Sequence, residues 1–382
     1  MFINIIKEKL PEYLSSDILG KTKIISSIVE VSGMNRKSVI RALRREGSRS
    51  MWAAKPRLGR PKLYSAETEA ALAYVWEQYD CPSAERLHGE ISEAIRIFRR
   101  DGMWPYKEAA TTQLLTMSLG AMKQRTVEMA KRRGLMRGIG TTRSGPLLQS
   151  IPIFFGPWSD RGVGYGQVDT VVHSGPKLMG TMAYSVNYVD VATYWQEMAA
   201  QLDKSSKATM RSLSTIAGRL PWRLKGLHPD SGSEFINETA INWCRFRNVN
   251  LTRSRPYMKN DNCHIEQRNY VVIRKYVGYE RYDCMEAVDI LNELYEVLRL
   301  YLNFFQPTFK LQSKDTTYPY KRIYDQPKTP YRRVLEREDL EQSIKDKLTK
   351  QYEQLNPKIL RDRIRVLTKK LERTQKELGY HY

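Results

Sequence analysis

Asp169 stands inside YGQVDTVV, an apolar, β-branched run that reads as a core strand. An ionised carboxylate in such a strand is costly unless a cation or hydrogen bonds offset it. Two further carboxylates are set apart by the chain around them. Asp230, in HPDSGSEF, follows the short strand reading WRLKGL, and Pro229 with the pair Ser231 and Gly232 marks a turn. Ser233 caps a helix beginning EFINETAINWC, which leaves Asp230 at a strand end beside a helix N-terminus. Glu266, in NDNCHIEQRN, falls in the first turns of a second helix, expected near Asp261 to Tyr279. Thirty-five residues separate Asp230 from Glu266.

The chain around these residues alternates strand, strand, strand, helix, strand, helix, strand, helix. Strands near Gly164 to Val172, Met182 to Asp190 and Trp195 to Gln201 are expected to be antiparallel neighbours. A helix over Lys207 to Arg219 follows, then strands at Arg223 to Leu227 and Val249 to Thr252, and a long apolar helix near Met285 to Phe305. An α/β layer with helices packed over a mixed sheet is the natural solution.

Three hard oxygen donors on separate elements, with no His or Cys pattern among them, suit Mg²⁺ or Mn²⁺ better than zinc. Such ions imply phosphate chemistry, since a pair about 4 Å apart activates the attacking oxygen and stabilises the leaving oxygen of an in-line displacement. With their spacing, Asp169, Asp230 and Glu266 resemble the DDE triad of transposases and retroviral-type integrases. DSGSEFIN, TRSRPYMKNDN, HIEQRN and VGYERYD are similar to signatures of bacterial insertion-sequence transposases, and the resemblance spans roughly residues 151–333. HPDS departs from the commoner DNG-type sequence without touching the carboxylate.

This resemblance implies a ribonuclease H-like core, a mixed sheet with helices on both faces. It also implies that Asp169, Asp230 and Glu266 are catalytic and hold two Mg²⁺ (or Mn²⁺) ions. The activity implied is cleavage at the ends of a mobile element and strand transfer into target DNA, with no covalent protein intermediate. A DNA-binding regulator that no longer uses this core, and a structure-specific nuclease on the same fold, are the competing readings.

Sixty-three Lys and Arg against forty-two Asp and Glu give a net charge of +21, the footprint of a chain that binds a polyanion such as DNA. Lys21 to Arg45 read as a helix-turn-helix. Ile24, Ile25, Ile28 and Val29 line its first helix, Ser32-Gly33-Met34-Asn35 forms the turn, and Val39, Ile40 and Leu43 face the core from the second. Arg36, Lys37, Arg41, Arg44 and Arg45 are left outward, as on a recognition helix entering a major groove. A basic helical hairpin packing on its own domain would carry the same pattern. In KPRLGRPKLYS, Arg57, Arg60 and Lys62 flank a Gly-Arg-Pro core that fits a narrow minor groove or a plain tether.

Ala66 to Arg133 is helical, and LLTMSLGAMKQRTVEMAKRRG suggests a second reader or a packed helix hairpin. Ser118 caps its last helix, with Lys123, Gln124 and Arg125 as exposed readers. Arg253, Arg255, Tyr257 and Lys259 lead into the Glu266 helix, as guides for a DNA strand or as a salt-bridged surface loop. Beyond Phe305 a Pro- and Tyr-rich basic stretch is expected to wrap the catalytic domain. The stripe Ile364, Leu367, Leu371, Leu378 fits either a contact between protomers or packing within the chain. The domain reading runs 1–54 (helix-turn-helix), 55–65 (basic linker), 66–140 (second helical domain), 141–155 (linker), 156–305 (catalytic core) and 306–382 (basic, mostly helical extension).

No apolar run reaches the roughly eighteen residues needed to span a bilayer, and Lys7 and Lys9 interrupt MFINIIKEKL too early for a secretory signal. Double-stranded DNA is the expected partner, without membrane or nucleotide cofactor, and the expected place is the bacterial cytoplasm at the nucleoid. Cys81, Cys244, Cys263 and Cys284 lack any CxxC spacing and fit buried reduced thiols. His228, His264 and Cys263 lie near the carboxylates, but no HExxH or paired zinc spacing accompanies them. Gly20-Lys21-Thr22 imitates a P-loop end without its first glycine, and there is no GxSxG. One triad per chain and two ends per element call for at least two protomers on DNA.

Overall fold

The computed structural model describes residues 2–52, 63–133, 152, 154, 158, 161–175, 179–229, 234–254, 265, 268–314 and 322–377. Two units arise, Met1–Leu63 and Tyr64–Tyr382. In the first, α1 (Phe2–Ser15), α2 (Ile18–Ser32) and α3 (Arg36–Trp52) bury Ile6, Ile24, Ile25, Ile28, Val39, Ala42 and Leu43. Asp17 caps α2 by accepting the Gly20 N–H at 2.8 Å. Gly33 ends it in the left-handed region at φ 66°, where a Cβ would be strained, and its N–H bonds the Val29 carbonyl. α3 then starts behind Asn35, whose Oδ1 accepts the Lys37 N–H. Arg36, Lys37, Arg41, Arg44 and Arg45 are all exposed on α3.

The second unit opens with α4 (Ala66–Gln78), α5 (Ala84–Leu87), α6 (Ile91–Arg100), α7 (Glu108–Leu115) and α8 (Leu119–Arg133). Their apolar faces, including Leu72, Trp76, Phe98 and Leu114, join one hydrophobic cluster that continues through the sheet to Leu371. Helices α4 to α8 thus share a core with the sheet instead of closing one of their own.

Five strands follow: β1 (Tyr165–His173), β2 (Ala183–Asp190), β3 (Gln196–Gln201), β4 (Gly226–Pro229) and β5 (Asn250–Leu251). They order as β3-β2-β1-β4-β5, antiparallel across β3, β2 and β1 and parallel from β1 to β4 and β5. α9 (Ser206–Arg219) and α10 (Glu238–Arg247) supply the connections that the parallel pairs require. The expected strands and intervening helix are present, with β4 shifted along the chain, starting three residues later and ending two residues later than the pattern predicts. Gly166 is needed on β1 because the buried ring of Tyr188 lies where its Cβ would be, 2.1 Å away.

β3 is an edge strand, and unpaired edges invite association with other chains. Here α12 (Met285–Phe305), which comes after the short α11 (Lys275–Val277), closes the edge with side-chain amides. Asn303 accepts the Gln196 N–H and donates to the Gln196 carbonyl, both at 2.8 Å. Asn292 does the same to Ala200, at 2.9 and 3.1 Å. Between them Arg219 donates to the Met198 carbonyl at 2.9 Å. Each asparagine stands in for a peptide group of a missing sixth strand.

The chain ends with a hairpin of β6 (Leu311–Lys314) and β7 (Arg322–Tyr324), then α13 (Pro330–Leu335), α14 (Gln342–Gln354) and α15 (Pro357–Glu377). α15 packs along α12 and buries Leu360, Ile364, Leu367 and Leu371. The stripe is therefore filled from within the chain, which corrects its reading as a contact between protomers; Leu378 lies outside the described residues. Leu371→Ala should accordingly lower stability by about 2–5 kcal/mol in urea unfolding. An unchanged midpoint would mean that the stripe faces solvent.

Candidate active site

Side chains alternate along a strand, so Gln167 and Asp169 leave β1 on the same face. Both meet the segment that carries Glu266 in the sequence. Gln167 Oε1 accepts the Ile265 N–H at 3.1 Å, and Asn269 Nδ2 donates to Asp169 Oδ2 at 2.5 Å. Asp169 Oδ1 accepts the Thr170 N–H at 2.7 Å. The parallel register of β1 and β4 runs from Tyr165 opposite Gly226 to Val168 opposite Pro229. The next residues along the two chains are Asp169 and Asp230. Asp230 and Glu266 lie outside the described residues, as do Arg57, Arg60, Lys62, Arg255, Tyr257 and Lys259.

Behind Asp169 the polar groups form a directed chain. Gln196 Nε2 donates to Asn187 Oδ1 at 2.7 Å, Asn187 Nδ2 donates to Asn269 Oδ1 at 2.8 Å, and Asn269 donates to Asp169. An ionised carboxylate only accepts, so Asn269 must turn its NH₂ to Asp169 and its carbonyl to Asn187. Each amide in turn is oriented by the last. Asn187 and Gln196 are buried, where the low dielectric strengthens each of these hydrogen bonds. Asn187 also pairs directly with Asp169 in the β1–β2 register.

Asn269 begins a π-helical turn, Asn269–Arg274, that runs into α11 and stops at Gly278, φ 79°. Sequence periodicity predicts a regular helix there. The wider turn lets Asn269 face Asp169 while Val272 and Ile273 stay fully buried, and such turns occur often at functional sites. Replacing Asn269 with Ala should leave the fold intact and slow any chemistry at Asp169 by about 10–100-fold, the usual cost of losing a hydrogen-bond partner that orients a site carboxylate. A parental rate at saturating Mg²⁺ would show the amide to be idle.

The surroundings are strongly cationic. Arg268 stacks its guanidinium 4.9 Å from the Tyr194 ring centroid, and burial, with Arg86 and Arg333 nearby, lowers its pKa to about 10 against the pull of Tyr194. His228, on β4, is buried with Nδ1 against Thr252 Oγ1 at 2.9 Å and its ring edge-on to Trp158 at 4.8 Å. That environment is an aromatic packing site. Among the described residues no group of three His, Cys, Asp or Glu side chains is placed to hold a metal ion.

Of the other basic residues singled out by sequence, Lys123 is exposed and pairs with Glu85 at 2.8 Å, a bond that lowers the Glu85 pKa. Arg125 is not an exposed reader: it bonds the Ala121 carbonyl, approaches Glu69 at 3.3 Å and stacks on Tyr64. Arg253 is 6% exposed, so it sits in the wall of the domain and not on a surface loop. Sequence reasoning missed Asn269, Asn187 and Gln196. A signal existed for the first, since Asn269 follows Glu266 by three positions, the spacing that puts two residues on one face of a regular helix. The other two are brought in only by sheet register.

Fold and site together define an α/β protein whose central strand carries an aspartate, oriented by an amide from a following helix, beside a parallel strand that leads into a second aspartate. No family model matches the chain. It is 34% identical over 308 residues, 80% of its length and 86% of the relative's, to "uncharacterized protein y4rM" of Sinorhizobium fredii. The chain belongs to the same family as y4rM. A stretch of 82 residues, 21% of this chain and 7% of the relative, is 34% identical to the Pro-Pol polyprotein of feline foamy virus. Among solved structures, the catalytic core domain of BIV integrase matches with a TM-score of 0.31 and 15% identity, over 46% of this chain and 95% of that one.

Proposed function

We propose that this chain is a DDE-type transposase: it binds the ends of a mobile DNA element, cleaves their 3′ ends and joins them to target DNA. The observation that carries the proposal is the convergence on Asp169. The neighbouring strand leads straight into Asp230, and the residue three positions past Glu266 bonds the Asp169 carboxylate. The sequence likeness to a Pro-Pol polyprotein supports the same reading.

Asp169, Asp230 and Glu266 would hold two Mg²⁺ or Mn²⁺ ions. Their donors are oxygens only, and the amide chain behind Asp169 is polarised for a carboxylate at that position. Such ions, when bound, activate an attacking hydroxyl and stabilise the leaving oxygen of a phosphodiester. The protein's part is to hold the carboxylates in place: Asn269 fixes the rotamer of Asp169, and Asn187 and Gln196 fix Asn269. Water, and then the freed 3′-hydroxyl, would be the successive nucleophiles. The exposed cations of α3, Arg36, Lys37, Arg41, Arg44 and Arg45, would read or grip DNA as a helix-turn-helix, with two or more protomers pairing on the bound ends.

Duplexes ending in the DNA that flanks the gene test this function. In Mg²⁺ the chain should nick them and join the 3′ ends to a second duplex, and EDTA should stop both steps. Binding without cleavage would favour the regulator, and cleavage without joining a structure-specific nuclease.

A further inference from the structure

We infer that Arg86 and Arg268 form a clamp for one backbone phosphate of DNA, an inference that rests on the proposed function. Three cations crowd a single ring: Arg268 at 4.9 Å, Arg333 at 5.7 Å and Lys310 at 5.8 Å from the Tyr194 centroid. Tyr194 occupies the turn between β2 and β3 in the left-handed region, φ 62°. Arg86 stands over Phe309, the neighbour of Lys310, at 5.5 Å. The four come from separate places, α5, the start of the π-helical turn, the approach to β6, and α13, so no local sequence pattern gathers them.

Two of the four are tied down. Arg333 bonds Asp325 at 2.5 Å and the Thr308 carbonyl at 2.6 Å, and Lys310 donates to the Ala192 carbonyl at 3.0 Å. The other two are not. Among the described residues Arg86 and Arg268 contact aromatic faces and form no hydrogen bond or ion pair, and Arg86 Nε is buried without a partner. The nearest acid in sequence, Glu85, is already paired with Lys123. A guanidinium stacked on a ring keeps its whole N–H edge, a fork that matches phosphate oxygens in two-point fashion.

Like charges collected in a partly dry site disfavour the folded state unless an anion joins them. Arg268 precedes Asn269, which bonds the Asp169 carboxylate, so a phosphate held here would lie on the segment that orients Asp169. A chain of net charge +21 meets phosphate most often as a DNA backbone.

The test uses the full chain and a fluorescent duplex titrated across KCl concentrations. Arg86→Gln should lower the slope of log affinity against log salt by about one unit, equally for end-sequence and random duplexes. Arg86→Lys should restore the slope. Without DNA, Arg86→Gln should melt no lower than the parent, because it relieves repulsion; Arg268→Gln repeats the test should the first variant fail to fold. Parental binding with an unaltered slope in both variants overturns the clamp alone. If inorganic phosphate raises the parent's melting temperature but not the variant's, while the slope stays fixed, the site takes a free anion and the DNA assignment falls. A parent that binds no duplex overturns the proposed function and the clamp with it.

Discussion

An Asp169→Asn protein is expected to fold and to bind DNA ends as the parent does, yet to cut and join them at least about 1,000-fold more slowly in Mg²⁺. The fold should survive because the amide is isosteric and Asp169 is only partly buried. The Asn side chain also keeps an oxygen to accept the Asn269 N–H, so the chain back to Gln196 is not reversed. Chemistry should not survive. A ligand to catalytic metal supports several kcal/mol of transition-state stabilisation, and each 1.4 kcal/mol is about tenfold in rate. Single-turnover cleavage beside a thermal melt separates the two effects. Cleavage at the parental rate would remove Asp169 from the site.

The second large effect concerns the sheet edge. Glu197 on β3 is fully buried, accepts the Trp195 indole N–H at 3.0 Å and pairs with Arg299 of α12 at 2.7 Å. Burial pushes its pKa up, and Arg299 opposes that rise. Arg299→Leu should cost about 3–5 kcal/mol, because it leaves a buried carboxylate without its cation. A raised carboxyl pKa favours the folded state below the ordinary carboxylate range, and that advantage is lost as pH rises through the folded value. The Arg299→Leu defect should therefore be full at neutral pH and shrink as the solution is acidified. Adding Glu197→Leu should recover most of the loss, as the paired change removes the stranded charge. A denaturant series over pH decides it; a single variant as stable as the parent at pH 7 would mean that the pair is dispensable.

The sheet was legible because its strands are apolar and its turns marked, so β1, β2, β3 and α9 fall within two residues of where periodicity puts them. Side-chain roles were less legible. Asp169 and Asp190 both sit in apolar strands, and only the fold tells them apart. Asp190 is fully buried and takes the N–H groups of Gly164, Ala192 and Thr193 and the Thr193 hydroxyl, a structural knot at a turn. Asp169 is partly exposed and faces the helix that follows Glu266. Composition gave the basic character of the chain but not the direction of each cation. Arg125 and Arg253 turn inward, whereas the basic face of α3 is solvated. The apolar stripe of α15 could be assigned to chain or partner only once α12 was seen to cover it. Asn292 and Asn303 escaped for the same reason: an asparagine in a helix says nothing of the strand edge it will meet.

The most direct test of the central claim is anomalous scattering from crystals of the chain grown with Mn²⁺. The account predicts a peak about 2.0–2.3 Å from an Asp169 carboxylate oxygen, the separation usual for hard cations and oxygen ligands, with Asp230 and Glu266 completing the site. A fully occupied Mn²⁺ bound elsewhere, with no cation at the Asp169 carboxylate, would contradict it.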